Sequence, residues 1–263
     1  MPKDISELQA ENIRVIFFDI DDTLSSEGKI RPEAYAAMWK LKEAGKVIVP
    51  ITGRPAGWCD HIARMWPVEA IVGENGAFYF MMKEGRMQKY YTADKSRRGE
   101  FKQGLEKIRA EVLSEVPSAG ISSDQDYREF ELAIDFCEDV PRLSDADIEK
   151  VEEIFKRHGA TTKISSIHIN GWFGDYNKLT TAKIFAKNEL GIDVEKKNSL
   201  FTFCGDSPND EPMFDFFDLS VGVANVMDFA NRIKSMPKFI TKSKSGKGFA
   251  ELADKIISAG CSG

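Results

Sequence analysis

Four short segments of this chain carry acidic, hydroxyl and cationic side chains in a pattern that could do chemistry. They are Asp19-Ile20-Asp21-Asp22-Thr23-Leu24, Thr52-Gly53-Arg54, the single residue Lys178, and Gly205-Asp206-Ser207-Pro208-Asn209-Asp210. Carboxylates can bind a hard divalent cation, attack an electrophile and transfer protons, while an ammonium and a hydroxyl can hold an anion. Short acidic patterns recur by chance, so these segments matter only if the fold brings them together.

The elements around these segments predict that they meet. Arg14–Phe18, Val47–Ile51 and Ser199–Phe203 are apolar runs typical of strands that are covered on both faces, and three of the segments follow them directly. Lys178 begins a helix predicted over Lys178–Leu190. Strands alternating with helices predict a parallel sheet with right-handed crossovers, in which ligands bind beyond the carboxyl ends of the strands. We therefore expect all four segments at one edge of the sheet.

Between about residues 83 and 171 a different pattern interrupts the core pattern. A hairpin signal, with strands predicted at Phe78–Met82 and Arg86–Tyr91, leads into it. Strands of alternating polarity are predicted further on, at Tyr127–Phe136 (with one face exposed to water) and at Thr161–Ile169. The core pattern then returns, with helices predicted over Pro208–Phe217 and Asp228–Lys234. We predict an α/β protein whose Rossmann-like parallel-sheet core, residues 1–82 and 172–263, carries an inserted α+β cap domain, residues 83–171.

The acids of the motifs need a compensating cation. Four carboxylates would lie close together at the sheet edge, those of Asp19, Asp21, Asp206 and Asp210. Two like charges about 4 Å apart repel by about 4 kcal/mol at an effective dielectric constant of about 20. Mg²⁺ suits such a cluster because it prefers oxygen ligands and completes its shell with water and phosphate oxygens. With donors from Lys178 and Thr52 added, the predicted site is shaped for a phosphoryl group.

The composition excludes several other classes of protein. The 263 residues are 42% hydrophobic and 30% charged, as in ordinary folded proteins, and the net charge of −6 argues against a general nucleic-acid binder. The cysteines, Cys59, Cys137, Cys204 and Cys261, form no Cys-x-x-Cys pair and are expected to be reduced. No apolar run reaches the roughly 20 residues of a membrane span, and no signal-peptide core is present. We expect a cytoplasmic protein without nucleic-acid or membrane partners; the sequence does not indicate its oligomeric state.

In order and spacing, the four segments resemble the motifs of the haloacid dehalogenase-like superfamily. Glu74-Asn75-Gly76-Ala77 and Ser245-Gly246-Lys247-Gly248 resemble its Cof-type branch, which includes sucrose-phosphate, trehalose-phosphate and mannosyl-3-phosphoglycerate phosphatases. The insertion resembles the large cap of that branch, so the resemblance covers nearly the whole chain. One departure is that many relatives follow the lysine with glycine, whereas Lys178 is followed by Leu179; Lys183, in the middle of the helix, is the alternative.

The resemblance implies a Mg²⁺-dependent phosphatase that acts on a small phosphate ester, with a sugar phosphate as the favoured substrate. Asp19 would attack phosphorus and form an aspartyl-phosphate, and Asp21 would protonate the leaving alcohol and then activate water. Thr52 and Lys178 would hold the phosphoryl oxygens. The implied metal ligands are Asp19, the backbone carbonyl of Asp21 and Asp206, with Asn209 and Asp210 supporting them.

Substrate contacts are predicted at Arg54 and Asn75 in the core and at His168 and Asn170 in the segment that leaves the cap. Each has an alternative: a salt bridge for Arg54, a turn for Asn75, and for residues 167–176 a packed linker in which Trp172 joins the two domains. Two other functions also stay open. A phosphomutase would share the motifs but return the phosphoryl group to its substrate, and a non-catalytic sugar-phosphate sensor would bind without turnover.

Overall fold

The protein is described by a computed structural model of residues 1–165 and 167–260, which confirms the α/β class with a parallel sheet at the centre. Its amino-terminal part forms, in order, β1 (Lys3–Asp4), β2 (Val15–Phe18), α1 (Pro32–Glu43), β3 (Val47–Pro50), α2 (Ala56–Met65), β4 (Ala70–Gly73), β5 (Phe78–Lys83) and β6 (Arg86–Tyr91). β4, β5 and β6 make an antiparallel sheet, so the predicted hairpin is confirmed. The hairpin spans residue 83, where the sequence places the start of the cap; that boundary stays a prediction.

The middle of the chain forms an α+β unit, here called the four-stranded unit. It comprises α3 (Lys95–Glu115), β7 (Gly120–Ile121), β8 (Glu131–Asp135), α4 (Asp145–Arg157), β9 (Thr161–Ile164) and β10 (His168–Trp172). The strands lie in the order β7-β8-β10-β9, and every pairing is antiparallel. Leu132, Ile134 and Ile169 pack with α3 and α4 on one face. Because side chains alternate along a strand, the other face carries Glu131, Asp135, His168 and Asn170.

The carboxy-terminal part completes the parallel sheet. It forms α5 (Lys178–Leu190), β11 (Phe201–Gly205), α6 (Glu211–Phe216), β12 (Val221–Gly222), β13 (Phe239–Ile240) and α7 (Ser245–Gly260). The sheet order is β1-β13-β12-β11-β2-β3, with all pairs parallel. β2 therefore lies between β11 and β3, so three of the chemical motifs follow three neighbouring strands.

Both faces of the parallel sheet are covered, which explains its continuous apolar strands. Ile16 and Phe18 of β2 pack in a cluster with α1, α2 and α7. Val15 and Phe17 point to the opposite side and pack with α5 and α6. The sheet is thereby fixed from two sides, and its carboxyl edge is a rigid base for the polar side chains that follow the strands.

Three predicted elements differ from the structure. The single strand predicted over Thr161–Ile169 is instead two antiparallel strands, β9 and β10. The sequence pattern does not show the turn between them, because no glycine or proline marks the reversal. The helix predicted over Asp228–Lys234 is not formed as such. A 3-10 helix at Ala224–Phe229 includes only its first two residues, and Ile233 is the one buried residue of the predicted stretch. The face of β8 predicted to meet water is buried, because it lies against the core.

The structure can be compared with the expectations for the cysteines, for membrane-spanning helices and for Trp172. Cys59 and Cys204 are buried thiols outside any disulfide, as expected, whereas Cys261 lies outside the described residues. Within residues 1–165 and 167–260, no helix combines the length and the apolar character needed to cross a bilayer. Trp172 is buried and stacks on Tyr176, four residues further along the chain, with ring centroids 5.9 Å apart; that it joins two domains stays a prediction.

Candidate active site

Three acids and one lysine from distant parts of the chain meet at the carboxyl edge of the parallel sheet. The ammonium of Lys178 donates to Oδ1 of Asp19 at 2.7 Å and to Oδ1 of Asp210 at 2.8 Å. Oxygen atoms of Asp19, Asp206 and Asp210 all lie within 4.8 Å of one another, and all three residues are buried. The structure therefore brings together the first, third and fourth motifs, as the strand-end argument predicts.

Local hydrogen bonds place Lys178 at the first position of α5. Asn177 caps the helix by accepting from the backbone N–H of Thr180 at 2.9 Å, and the Thr180 hydroxyl accepts from the Asn177 N–H at 2.9 Å. The next residue, Thr181, donates its hydroxyl to the carbonyl of Gly76 at 2.6 Å. Thr180 and Thr181 thus fasten this helix start. The ammonium of Lys178 lies among the acids, whereas that of Lys183 bonds to Glu195, which favours Lys178 as the lysine of the site.

The buried charges perturb one another strongly. Burial raises the pKa of Asp19 to about 7, with Lys178 opposing the shift and the carboxylates of Asp210 and Asp21 adding to it. Burial, together with the carboxylates of Asp210 and Asp19, also raises the pKa of Asp206 well above its ordinary value. Burial alone would lower the pKa of Lys178, but Asp19 and Asp210 outweigh it and the pKa is raised. The lysine therefore stays cationic among acids that repel each other.

This donor set fits a hard divalent cation. It offers carboxylate oxygens from Asp19, Asp206 and Asp210 within one small volume, and one ammonium does not neutralise three carboxylates. Asp206 is held in place by the hydroxyl of Thr23, which donates to its Oδ1 at 2.7 Å, and by the amide of Asn225, which donates to Oδ2 at 3.3 Å. Thr23 and Asn225 escaped the sequence analysis, although Thr23 stands inside the first motif.

Asp21 and Thr52 occupy the side of the site that faces Arg54. The guanidinium of Arg54 binds Asp21 bidentately, with Nη2 at 2.7 Å from Oδ1 and Nε at 3.0 Å from Oδ2. The hydroxyl of Thr52 accepts the backbone N–H of Arg54 at 3.0 Å and is buried, so its own proton is available to another acceptor. Arg54 thus forms an ion pair inside the site rather than a distant surface bridge.

A cavity of about 780 Å³ opens between this cluster and the polar face of the four-stranded unit. The predicted site residues on its wall are Asp19, Asp21, Arg54, Asn75, His168, Asn170, Asp206 and Asn209. Thr52, Lys178 and Asp210 are buried next to these residues, Thr52 bonding to Arg54 and Lys178 to Asp19 and Asp210. The amide oxygen of Asn209 accepts a hydrogen bond from the hydroxyl of Ser207 at 2.8 Å, which supports the loop of the fourth motif. On the opposite wall, burial lowers the pKa of His168. All four predicted substrate contacts therefore face one space.

Glu74 joins the core to the four-stranded unit, a role that the sequence analysis did not predict. Its carboxyl group accepts four backbone N–H groups, from Ala56 at 3.0 Å, Glu129 at 2.9 Å, Phe130 at 2.6 Å and Glu131 at 3.1 Å. Burial and the neighbouring Glu131 raise the pKa of Glu74 to about 8, against the effect of these donors. A side chain of the core thereby holds the residues that lead into β8 and the first residue of that strand.

The loop that carries Glu74 has an unusual backbone. Glu74, Asn75 and Gly76 have φ angles of 42°, 52° and 112°. Left-handed conformations cost about 1–3 kcal/mol at residues other than glycine, so surrounding contacts must hold them. At Gly76 a Cβ atom would lie 2.3 Å from the backbone oxygen of Asn177. The glycine is therefore required where this loop touches the start of α5.

Solved structures with the same fold are similar to this chain over nearly its whole length. The Thermoplasma acidophilum protein 0175 has a TM-score of 0.72 and 18% identity and covers 94% of this chain and 99% of its own. BT1666, a phosphatase of Bacteroides thetaiotaomicron, has a TM-score of 0.65 and 18% identity over 95% and 97%. The sucrose-phosphatase of Synechocystis sp. PCC6803, solved with sucrose and phosphate, has a TM-score of 0.63 and 14% identity over 94% and 97%. At such identities the likeness shows the fold.

The sequence itself also matches a family. The model of the haloacid dehalogenase-like hydrolases matches residues 16–125 and 121–252, which together make up most of the chain. No protein of curated function matches the sequence. The family match includes all four motifs and the residues between them.

Proposed function

Because the chain belongs to the haloacid dehalogenase-like hydrolase family, we propose that it is a phosphatase of a small phosphorylated metabolite, with sugar phosphates as the favoured substrate class. The observation that carries the proposal is the position of Lys178, whose ammonium lies between Asp19 and Asp210. A buried amine and several acids at one sheet edge can hold a cation and a phosphoryl group together. Two similar structures are those of phosphatases, one solved with sucrose and phosphate, which supports this substrate class.

Asp19 is the nucleophile in the proposed first step. Lys178 binds its Oδ1, which leaves Oδ2 as the attacking atom. A lone pair of Asp19 forms a bond to phosphorus, the bond between phosphorus and the alcohol oxygen breaks, and an aspartyl-phosphate results. The alcohol oxygen takes a proton from the carboxyl group of Asp21 and leaves as a neutral alcohol. Thr52 and Lys178 donate hydrogen bonds to the phosphoryl oxygens.

Asp21 acts as a base in the second step. Its carboxylate takes a proton from water while the water oxygen attacks phosphorus, the bond to Asp19 breaks, and phosphate leaves. The side chain of Asp21 is 40% exposed, so water can reach its carboxylate. Arg54 holds Asp21 before substrate binds, and we expect a phosphoryl oxygen to compete for the same guanidinium.

Mg²⁺ is the proposed cofactor, with Asp19, Asp206 and the backbone carbonyl of Asp21 as its ligands and with Asp210 and Asn209 as their supports. When bound, it would withdraw negative charge from the phosphoryl oxygens and so lower the barrier to attack. The buried triad of acids supports this assignment.

The four-stranded unit is proposed as the main part of the cap domain, within the division into residues 1–82, 83–171 and 172–263. Arg54 and Asn75 from the core and His168 and Asn170 from this unit would contact the alcohol part of the ester, since all four face the cavity. By closing over the cavity, such a cap would exclude bulk water during the first step.

A phosphate-release assay with Asp19→Asn tests the proposal. We expect the wild-type protein to release phosphate from at least one sugar phosphate or phosphoglycerate derivative with Mg²⁺, and not with EDTA. Asp19→Asn should lower the rate by on the order of a thousandfold without unfolding the protein, because an amide is a poor nucleophile. The matched control is Asp254→Asn, whose carboxylate is 61% exposed and bonds to Lys40.

Each other outcome of this assay has a definite meaning. A folded Asp19→Asn protein that works at the wild-type rate would contradict the assignment of the nucleophile. An isomeric phosphate ester in place of free phosphate would identify a phosphomutase, and no turnover across the panel would favour a sensor.

A further inference from the structure

A buried carboxylate lies between the two walls of the cavity and contacts both. Glu131, at the start of β8, is 2% exposed. Its Oε1 accepts the amide Nδ2 of Asn75 at 2.7 Å, and its Oε2 accepts the amide Nδ2 of Asn170 at 2.8 Å. Asn75 belongs to the core loop and Asn170 to β10, diagonally across from Glu131 on the same face of the antiparallel pair. One side chain therefore orients two amides from opposite walls.

Arg128 favours the ionised form of Glu131, against burial, which raises the pKa of this carboxyl group. Its guanidinium is 2% exposed and lies 3.2 Å from Oε2 of Glu131, while its other side binds Asp124. The same Nη1 donates to the carbonyl of Gly53 at 3.0 Å, inside the turn that carries the second motif. Both amides turn their NH₂ groups toward Glu131, as they must where its carboxylate oxygens only accept hydrogen bonds.

The carbonyl ends of the two amides are consequently turned away from Glu131. Asn75 and Asn170 both line the cavity, and neither amide oxygen accepts a hydrogen bond from any residue in 1–165 or 167–260. Each amide oxygen can accept hydrogen bonds from a ligand. The arrangement presents two oriented acceptors to whatever alcohol occupies the cavity.

We propose that Glu131 is a positioning residue for substrate selection, which holds the amide oxygens of Asn75 and Asn170 as a pair of acceptors for hydroxyl groups of the ester's alcohol part. The inference rests on the proposed phosphatase function and deepens it. The site selects esters whose alcohol carries at least two further hydroxyl donors. An alcohol without them leaves the amide oxygens of Asn75 and Asn170 unpaired against a buried wall.

The test compares two esters that differ in these hydroxyl groups, glycerol 1-phosphate and propyl phosphate. We expect the wild-type protein to have a kcat/KM at least about tenfold higher for glycerol 1-phosphate, expressed mainly in KM. Glu131→Gln should lower this ratio about tenfold. A glutamine offers one acceptor and one NH₂ group, so one of the two asparagines turns and shows a donor to the cavity. Glu149→Gln, an exposed exchange on α4, is the matched control and should leave the ratio unchanged.

A double-mutant cycle separates positioning from general support of the fold. If Glu131 acts through the amides, Glu131→Gln should change the ratio of the two kcat/KM values less in an Asn170→Ala background than in the wild type. Additive effects, an equal fall for both esters, or a wild-type protein without preference would overturn the proposal. Where Glu131→Gln does not fold, Asn75→Ala and Asn170→Ala take its place, each with an expected fall of about tenfold, and an unchanged ratio in both refutes it.

The outcomes also distinguish the two levels of the argument. Failure to hydrolyse any phosphate monoester would remove the phosphatase function and this inference with it. If both esters are hydrolysed and the ratio of their kcat/KM values is the same in wild type and Glu131→Gln, the role of Glu131 is refuted. The phosphatase function would still stand in that case.

Discussion

Replacing Lys178 by methionine should destabilise the protein strongly, because it removes a buried cation from a group of acids while nearly keeping the side-chain volume. The ammonium is 6% exposed and lies 2.7 Å from Asp19 and 2.8 Å from Asp210. Carboxylate oxygens of the triad lie within 4.8 Å of one another, where two unit charges repel by about 3.5 kcal/mol at an effective dielectric constant of about 20. Methionine at this position leaves that repulsion uncompensated.

The expected loss follows from measurements on other buried ion pairs. Removing one partner typically costs about 3–5 kcal/mol. We therefore expect Lys178→Met to lower the free energy of unfolding by about 3–5 kcal/mol, a large share of the roughly 5–15 kcal/mol that holds most domains folded. The measurement is urea denaturation followed by circular dichroism at pH 7.5 in EDTA, so that no divalent cation substitutes for the missing charge.

Lys183→Met is the matched control, on the same helix and at the alternative lysine. Its ammonium bonds at 3.0 Å to Glu195, whose side chain is 68% exposed, and such pairs contribute only about 0–1 kcal/mol. Phosphate release should fall sharply in Lys178→Met and stay near the wild-type rate in Lys183→Met. A loss of stability below about 1 kcal/mol in Lys178→Met, or equal losses in both variants, would refute the electrostatic reasoning.

Two further predictions concern the loop of Glu74 and Gly76. Glu74→Ala should lower the free energy of unfolding by about 3–5 kcal/mol, since three buried N–H groups and one part-buried N–H group lose their acceptor, each buried one at up to about 1–3 kcal/mol. Urea denaturation measures this loss, with the exposed Glu43→Ala as the control. A loss under about 1 kcal/mol would show that these bonds do not join the two parts. Gly76→Ala should lower the free energy of unfolding by about 2–4 kcal/mol and lower kcat, because the new Cβ would lie 2.3 Å from the backbone oxygen of Asn177. Thermal unfolding and kcat that both stay unchanged would contradict this prediction.

The sequence predicts the reactive cluster well because that cluster follows from local patterns and one topological rule. Asp19 and Asp206 each come directly after an apolar strand, and neighbouring parallel strands end at the same edge. Lys178 is recognised because it begins a predicted helix and completes the set of four motifs that resemble those of the family. None of these steps requires knowledge of how side chains from distant segments pack.

The contacts between the two parts of the protein could not be predicted in the same way. Glu131 stands on the strand face predicted to meet water, since alternation shows that a face is polar but not what covers it. Its partner Asn75 lies 56 positions away in the sequence, and Arg128 carries no local signal at all. Likewise, nothing between Asp228 and Lys234 supplies the apolar stripe that a helix needs to pack, because Ile233 is the one buried residue there.

The contact between Gly76 and the start of α5 has a consequence for how such proteins diversify. The Thr181 hydroxyl bonds to the Gly76 carbonyl, so everything between these two residues departs from and returns to a single point on the core. A segment whose two ends lie at the same place can be lengthened, shortened or exchanged without displacing the core elements that hold those ends. Changes in this segment can therefore leave the position of Lys178, two residues into the chain after Tyr176, unaltered.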